Sequence, residues 1–147
     1  MSRILLVEDN EDDIELTLIA FRRHNLANEI VVARDGAEAL DYLHAADAVL
    51  PTVVLLDLKL PRMDGTTVLR RIREHHATRL LPVVMLTSSA QERDRHATYS
   101  LGANSYIVKP VDFEQFVASA QHIGMYWLML NAPPPQPERS DSAPVVS

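Results

Sequence analysis

The chain has 147 residues, 47% of them hydrophobic and 23% charged, the balance of one soluble globular domain that needs no disulfide or structural metal to fold. Fourteen basic against 20 acidic side chains leave a net charge of −6, which argues against autonomous binding to nucleic-acid phosphates. The absence of cysteine removes thiol catalysis, disulfides, Fe–S clusters and cysteine zinc sites. The apolar start is too short for a signal peptide, and no run is long enough to span a bilayer. A cytoplasmic protein with no membrane partner is the expectation.

Three apolar runs stand out along the chain: Ile4-Leu5-Leu6-Val7 before Glu8-Asp9, Val53-Val54-Leu55-Leu56 before Asp57, and Val83-Val84-Met85-Leu86 before Thr87. They are β-rich and lack alternation, as expected of central strands covered on both faces. Further strands are predicted over 29–33 and 105–109. Helices are predicted over 12–24 (Ile14, Leu18 and Phe21 on one face), 36–45 (Ala39, Leu40, Leu43), 65–76 (Val68, Leu69, Ile72), 91–101 and 113–131. Asp35-Gly36 and Asp64-Gly65 each precede a helical pattern, so their aspartates read as helix caps rather than hairpin turns. Asp112 with Gln115 forms a capping-box start for the last helix. The order is βα five times over: an α/β fold with a five-stranded, doubly wound parallel sheet. The domain is expected to occupy residues 1–131. Residues 132–147, with five of the nine prolines, are expected to form a disordered tail.

In such a sheet, ligands bind at the carboxyl ends of the strands, near the point where strand order reverses. Glu8, Asp9, Asp57, Thr87 and Lys109 all fall at those ends. Crowded carboxylates repel unless a cation sits among them, and an all-oxygen donor set favours a hard ion such as Mg²⁺. A lysine and a hydroxyl beside that metal suit a phosphoryl group, so the local chemistry is phosphoryl transfer. Alternative sites are weaker. Ser88 and Ser89 lack the glycines of a nucleophile elbow. The histidines lack zinc-ligand spacing, His75-His76 reading as a helix end, and the glycines at 36, 65, 102 and 124 are too scattered for a phosphate loop.

Leu6-Val7-Glu8-Asp9-Asn10, Leu55 to Pro61 with Asp64-Gly65, Leu86-Thr87-Ser88, and Tyr106-Ile107-Val108-Lys109-Pro110 together resemble the receiver domain of two-component response regulators. The resemblance runs from about Arg3 to Leu130 and implies a flavodoxin-like fold. It implies that Asp57 accepts a phosphoryl group from the phosphohistidine of a sensor histidine kinase. Asp9 would then be a direct Mg²⁺ ligand, Glu8 would act through water, and the backbone carbonyl of Lys59 would be a further ligand. It also implies that Thr87 moves onto the phosphoryl group with Lys109 as its cationic partner, that Tyr106 swings inward, and that Pro110 follows a cis peptide. The protein would catalyse only its own phosphorylation and dephosphorylation. As a single-domain regulator it would signal through protein contacts.

Tyr126-Trp127-Leu128 and the stretch from Ala97 to Asn104 resemble the receivers that partner bacterial phytochrome kinases. The last helix is apolar nearly all round its final turns, with Tyr126, Leu128 and Met129 added to a face of Phe113, Phe116, Val117, Ala120, Ile123, Trp127 and Leu130. A homodimer through that helix follows as an expectation, framed by charges on the helix over 91–101. Two rivals stand beside this reading. A haloacid-dehalogenase-type hydrolase needs a general-acid aspartate two residues past the nucleophile, where Lys59 stands. An interaction module with a vestigial pocket would not need the full set of five polar residues.

Overall fold

The computed structural model describes residues 3–23, 29–87, 101–109 and 113–122. The elements run β1 (Arg3–Val7), α1 (Glu11–Arg23), β2 (Glu29–Ala33), α2 (Gly36–His44), β3 (Val53–Asp57), α3 (Gly65–Glu74), β4 (Val83–Thr87), β5 (Ser105–Val108) and α4 (Phe113–His122). The helix expected over 91–101, the Asp112 cap, Pro110 and everything past residue 122 lie outside the described residues.

All strand pairs are parallel, in the order β2-β1-β3-β4-β5. The three unalternated runs are therefore the three central strands. Each sends alternate side chains to opposite faces. Leu5, Val7, Val54, Leu56, Val83 and Met85 pack with Ala39, Leu40, Leu43, Val68, Leu69 and Ile72 of α2 and α3. Ile4, Leu6, Val53, Leu55, Val84 and Leu86 pack with Ile14, Phe21 and Phe116 of α1 and α4. The rings of Phe21 and Phe116 lie 4.6 Å apart between centroids and join those two helices. The edge strands read differently: β2 keeps one fully buried residue, Ala33, and β5 alternates.

Caps set the helix boundaries. Asp35 and Asp64 accept from the backbone N–H of Glu38 and Thr67, as their sequence positions predict. At α1 the cap is Asn10, whose Oδ1 accepts from Asp13 N at 2.9 Å, so the helix opens at Glu11, one residue earlier than its apolar period suggests. Its buried face includes Thr17, whose hydroxyl donates to Asp13 O, beside Ile14 and Phe21, while Leu18 is only partly buried. β5 stops at Val108, leaving Lys109 just beyond it rather than in the strand. Among the described residues no helix is long and apolar enough to cross a membrane.

Candidate functional site

The chain leaves β1 for β2 on one side of the sheet and reaches β3 on the other, so order reverses between β1 and β3. Glu8 and Asp9 follow β1, and Asp57 ends β3, directly flanking that crevice. The backbone holds both sides. Glu8 N donates to Ala33 O at 3.0 Å, and Leu58 N donates to Leu86 O at 2.8 Å. The loop after Asp57 folds back so tightly that Gly65 N reaches Leu58 O at 2.9 Å. A Cβ at Gly65 would run into the Asp57 carbonyl oxygen, which is why glycine must open α3.

Carboxylate oxygens of Glu8, Asp9 and Asp57 come within 4.8 Å of one another, with Glu8 and Asp57 buried and Asp9 exposed. Lys109 reaches in from the end of β5. Its Nζ lies 2.9 Å from Glu8 Oε1, 2.9 Å from Asp13 Oδ2 and 3.5 Å from Asp57 Oδ2. Three carboxylates thus face one ammonium, and Asp9 adds a fourth negative charge to the cluster. Burial, and next the charge of Glu8, push the Asp57 carboxyl up to about 7, against the opposing pull of Lys109. Burial alone would lower Lys109, but hydrogen bonds to Asp13 and Glu8 and the charges of Asp57 and Glu8 raise it. The ammonium is a fixed cation. The Asp57 shift marks a surplus of negative charge in a dry crevice, which a divalent cation on these hard oxygen donors would relieve. The residues present therefore fit Mg²⁺.

The other predicted residues divide. The Lys59 side chain is exposed, and its backbone N–H lies 3.4 Å from Asp57 Oδ1, so the loop turns round that carboxylate. Thr87 ends β4, in register with Val108, and its side chain lies outside the described residues. Tyr106 pairs with Met85 and is partly buried against the cluster shared with α2 and α3. The cap of α1 is Asn10 rather than one of the carboxylates, and its own N–H donates to Glu8 Oε2 at 3.1 Å. Sequence reasoning missed Asp13. It reads as one of three acids in a helix's first turn, Glu11, Asp12 and Asp13, and only its spacing of four from Asp9 hints that it faces the crevice.

Comparison with known proteins follows the same lines. The family model for the response regulator receiver domain matches residues 4–121. The chain is 42% identical to a probable methanogenesis regulatory protein, FilR2, of Methanothrix harundinacea, over 89% of this chain and 86% of that one. It is 34% identical to the response regulator Rcp1 of Synechocystis sp., over 85% of this chain and 88% of that protein. Among solved structures, the bacteriophytochrome response regulator AtBRR superposes with a TM-score of 0.80 at 51% identity, covering 90% of this chain and 99% of that one. The Mn²⁺-bound form of Rcp1 gives 0.70 at 30% identity, covering 99% and 100%.

Proposed function

This chain belongs to the response regulator receiver domain family, and on that footing we propose that Asp57 is its phosphoryl acceptor, served by Mg²⁺ on Glu8, Asp9, Asp57 and the carbonyl of Lys59. The observation that carries the reading is the convergence of Glu8, Asp9, Asp57 and Lys109 at the strand-order reversal. When bound, the metal offsets charge on the attacking carboxylate and the incoming phosphoryl oxygens. Asp57 supplies the nucleophile: a carboxylate oxygen bonds to phosphorus as the donor's P–N bond breaks, and that bond's electron pair stays on the histidine nitrogen. Lys109 provides a fixed positive charge 3.5 Å from the acceptor carboxylate. Asp57 ionises with a pKa about 7 in the metal-free crevice, so a nearby cation also secures its nucleophilic form.

Thr87 and Tyr106 are the proposed switch, the hydroxyl moving onto the phosphoryl group and the ring following it inward. The difference in their contacts between two states is what phosphorylation would bias. Likeness to the bacteriophytochrome response regulator AtBRR supports a sensor histidine kinase of the phytochrome type as donor, and the net charge of −6 speaks against a nucleic-acid partner. The apolar pattern of 113–131 supports a homodimer through the last helix, and residues 1–131 as the domain before a proline-rich tail.

The test is phosphate uptake from a small donor such as phosphoramidate with Mg²⁺. Wild type should gain one phosphate that is released by base and by hydroxylamine, as an acyl phosphate is, and chelator or Asp57→Asn should abolish it. Uptake by the Asn variant on another residue would overturn the assignment. For the switch, Thr87→Ala should take up phosphate yet fail to change its association. For the dimer, sedimentation with and without beryllofluoride decides, and a monomer in both removes it.

A further inference from the structure

The three contacts of Lys109 are unequal. Its ammonium has three protons to give. Glu8 and Asp13 take two at 2.9 Å, whereas Asp57 stands at 3.5 Å, near enough for attraction but outside the normal range of a charged N–H···O bond. The ammonium is therefore held off the acceptor. A phosphoryl group on Asp57 adds oxygens that attract the same ammonium, and drawing it in from 3.5 Å strains the two bonds that now hold it back, so the partner held less firmly gives way.

Burial decides which. The Glu8 side chain is 2% exposed and its other oxygen already accepts from Asn10 N, so its release would strand a buried charge. The Asp13 side chain is 33% exposed and can turn to water at little desolvation cost. Its fold-forming bonds are made by its backbone, N–H to Asn10 Oδ1 and C=O to the Thr17 hydroxyl, and do not involve the carboxylate. Asp13 is thus the exchangeable partner.

We propose that Asp13 is a positioning residue that holds the Lys109 ammonium back from Asp57 in the unphosphorylated state and is displaced when a phosphoryl group arrives, so that this pair sets how readily the phosphorylated state forms. The proposal rests on Asp57 being the acceptor. It predicts that weakening the pair favours the phosphoryl-bound state.

The experiment titrates beryllofluoride with Mg²⁺ into wild type, Asp13→Asn, Asp13→Glu and Asp12→Asn, and follows the Lys109 ammonium by NMR in chelator. Asp13→Asn should bind the mimic about three- to fivefold more tightly, the upper scale of one surface-accessible ion pair. Asp13→Glu should return toward wild type. Asp12→Asn, which removes the same charge from the same helical turn, should stay within about twofold, because it tests the general field of α1 alone. In chelator the Lys109 resonance should shift in Asp13→Asn and stay in Asp12→Asn. Unchanged or weaker binding by Asp13→Asn, or equal tightening by Asp12→Asn, overturns the inference while leaving Asp57 as acceptor. Failure of wild type itself to bind the mimic overturns both.

Discussion

At the amino ends of the strands, Arg3 and Arg73 hold partners that belong to the fold. Arg3 pairs with Glu29 at 2.9 Å and donates to the Tyr42 hydroxyl, and Arg73 spreads its guanidinium over the carbonyls of Arg79, Leu81 and Gly102 and over Asn104 Oδ1. At the carboxyl ends Glu8, Asp13 and Asp57 share Lys109, with Asp9 crowded against Glu8 and Asp57. Both regions close the same sheet on the same two helix layers, so packing does not explain the contrast. One end spends its polar groups on holding loops in place. The other keeps a charge surplus that costs stability, and such a surplus is retained where a ligand will complete it.

The largest effect should come from neutralising the acceptor. Asp57→Asn should lose phosphate uptake entirely and yet, in chelator at pH 8, be more stable than wild type by about 1–3 kcal/mol. The sign follows from the raised pKa of about 7, against 3.8 for an ordinary aspartate. The folded state keeps a proton that the unfolded chain releases, so the contribution of Asp57 is present below pH 3.8 and lost as pH rises through 7. The advantage of the Asn variant should therefore grow from pH 4 to pH 8 and shrink when Mg²⁺ is added to wild type. Urea unfolding across that range checks it, and a variant less stable than wild type in chelator would erase the contrast between the two ends.

The converse change sits at the other end. Arg73→Ala should destabilise by about 2–4 kcal/mol, because several carbonyls lose a charged donor at once. Uptake of phosphate by the folded fraction should be unchanged. Between these lies Gly65→Ala, at the carboxyl end but structural in origin. Its Cβ meets the Asp57 carbonyl oxygen and the Leu58 Cα at 2.8 Å, both backbone, so the acceptor loop must shift. A loss of about 1–3 kcal/mol together with slower phosphorylation is expected. Circular dichroism melts and a phosphorylation time course separate the two quantities.

How far each end could be read from the sequence follows the same division. The acidic crevice was legible because a strand's last residue is fixed by where its apolar run stops, and parallel order then gathers those ends. Glu8, Asp57 and Lys109 needed no more than that. Asp13 needed the rotation of α1 about its axis, which Ile14, Thr17 and Phe21 set by packing. The amino ends were almost opaque. All the partners of Arg73 except Asn104 Oδ1 are backbone carbonyls, which carry no residue signature. Ser105 and Ser119 look like surface residues in the sequence yet share a buried hydroxyl bond of 2.8 Å between β5 and α4. At the carboxyl ends one detail was equally silent: Arg62, left-handed at φ 64° in the loop after β3, pairs with Asp35 at 2.8 Å.

The smallest expected effect concerns His44 and His75, whose rings stack 3.8 Å apart at 12° across the C-terminal ends of α2 and α3. Thr78 gives its one hydroxyl proton to Ile72 O at 2.8 Å, so at 3.3 Å it can only accept from His44 Nε2, which fixes the neutral tautomer. His75 Nδ1 in turn accepts from Ala77 N–H at 3.3 Å, a bond that protonation there would remove. Burial, and next the charge of His75, lower the pKa of His44 below 6.5. As pH falls the unfolded chain takes up the proton first, so the contribution of His44 is present above pH 6.5 and lost as pH drops through its lower folded value. That direction is opposite to the one at Asp57, so one molecule should show both slopes. His44→Gln should flatten the loss of stability between pH 7 and pH 5 by about 0.5 kcal/mol or less, given solvent screening. His75→Gln should move the His44 ring titration, followed by NMR, back toward its ordinary value. Should His44 titrate identically with and without His75, the ring stack carries no electrostatic coupling, and the amino end would hold no titrating pair at all.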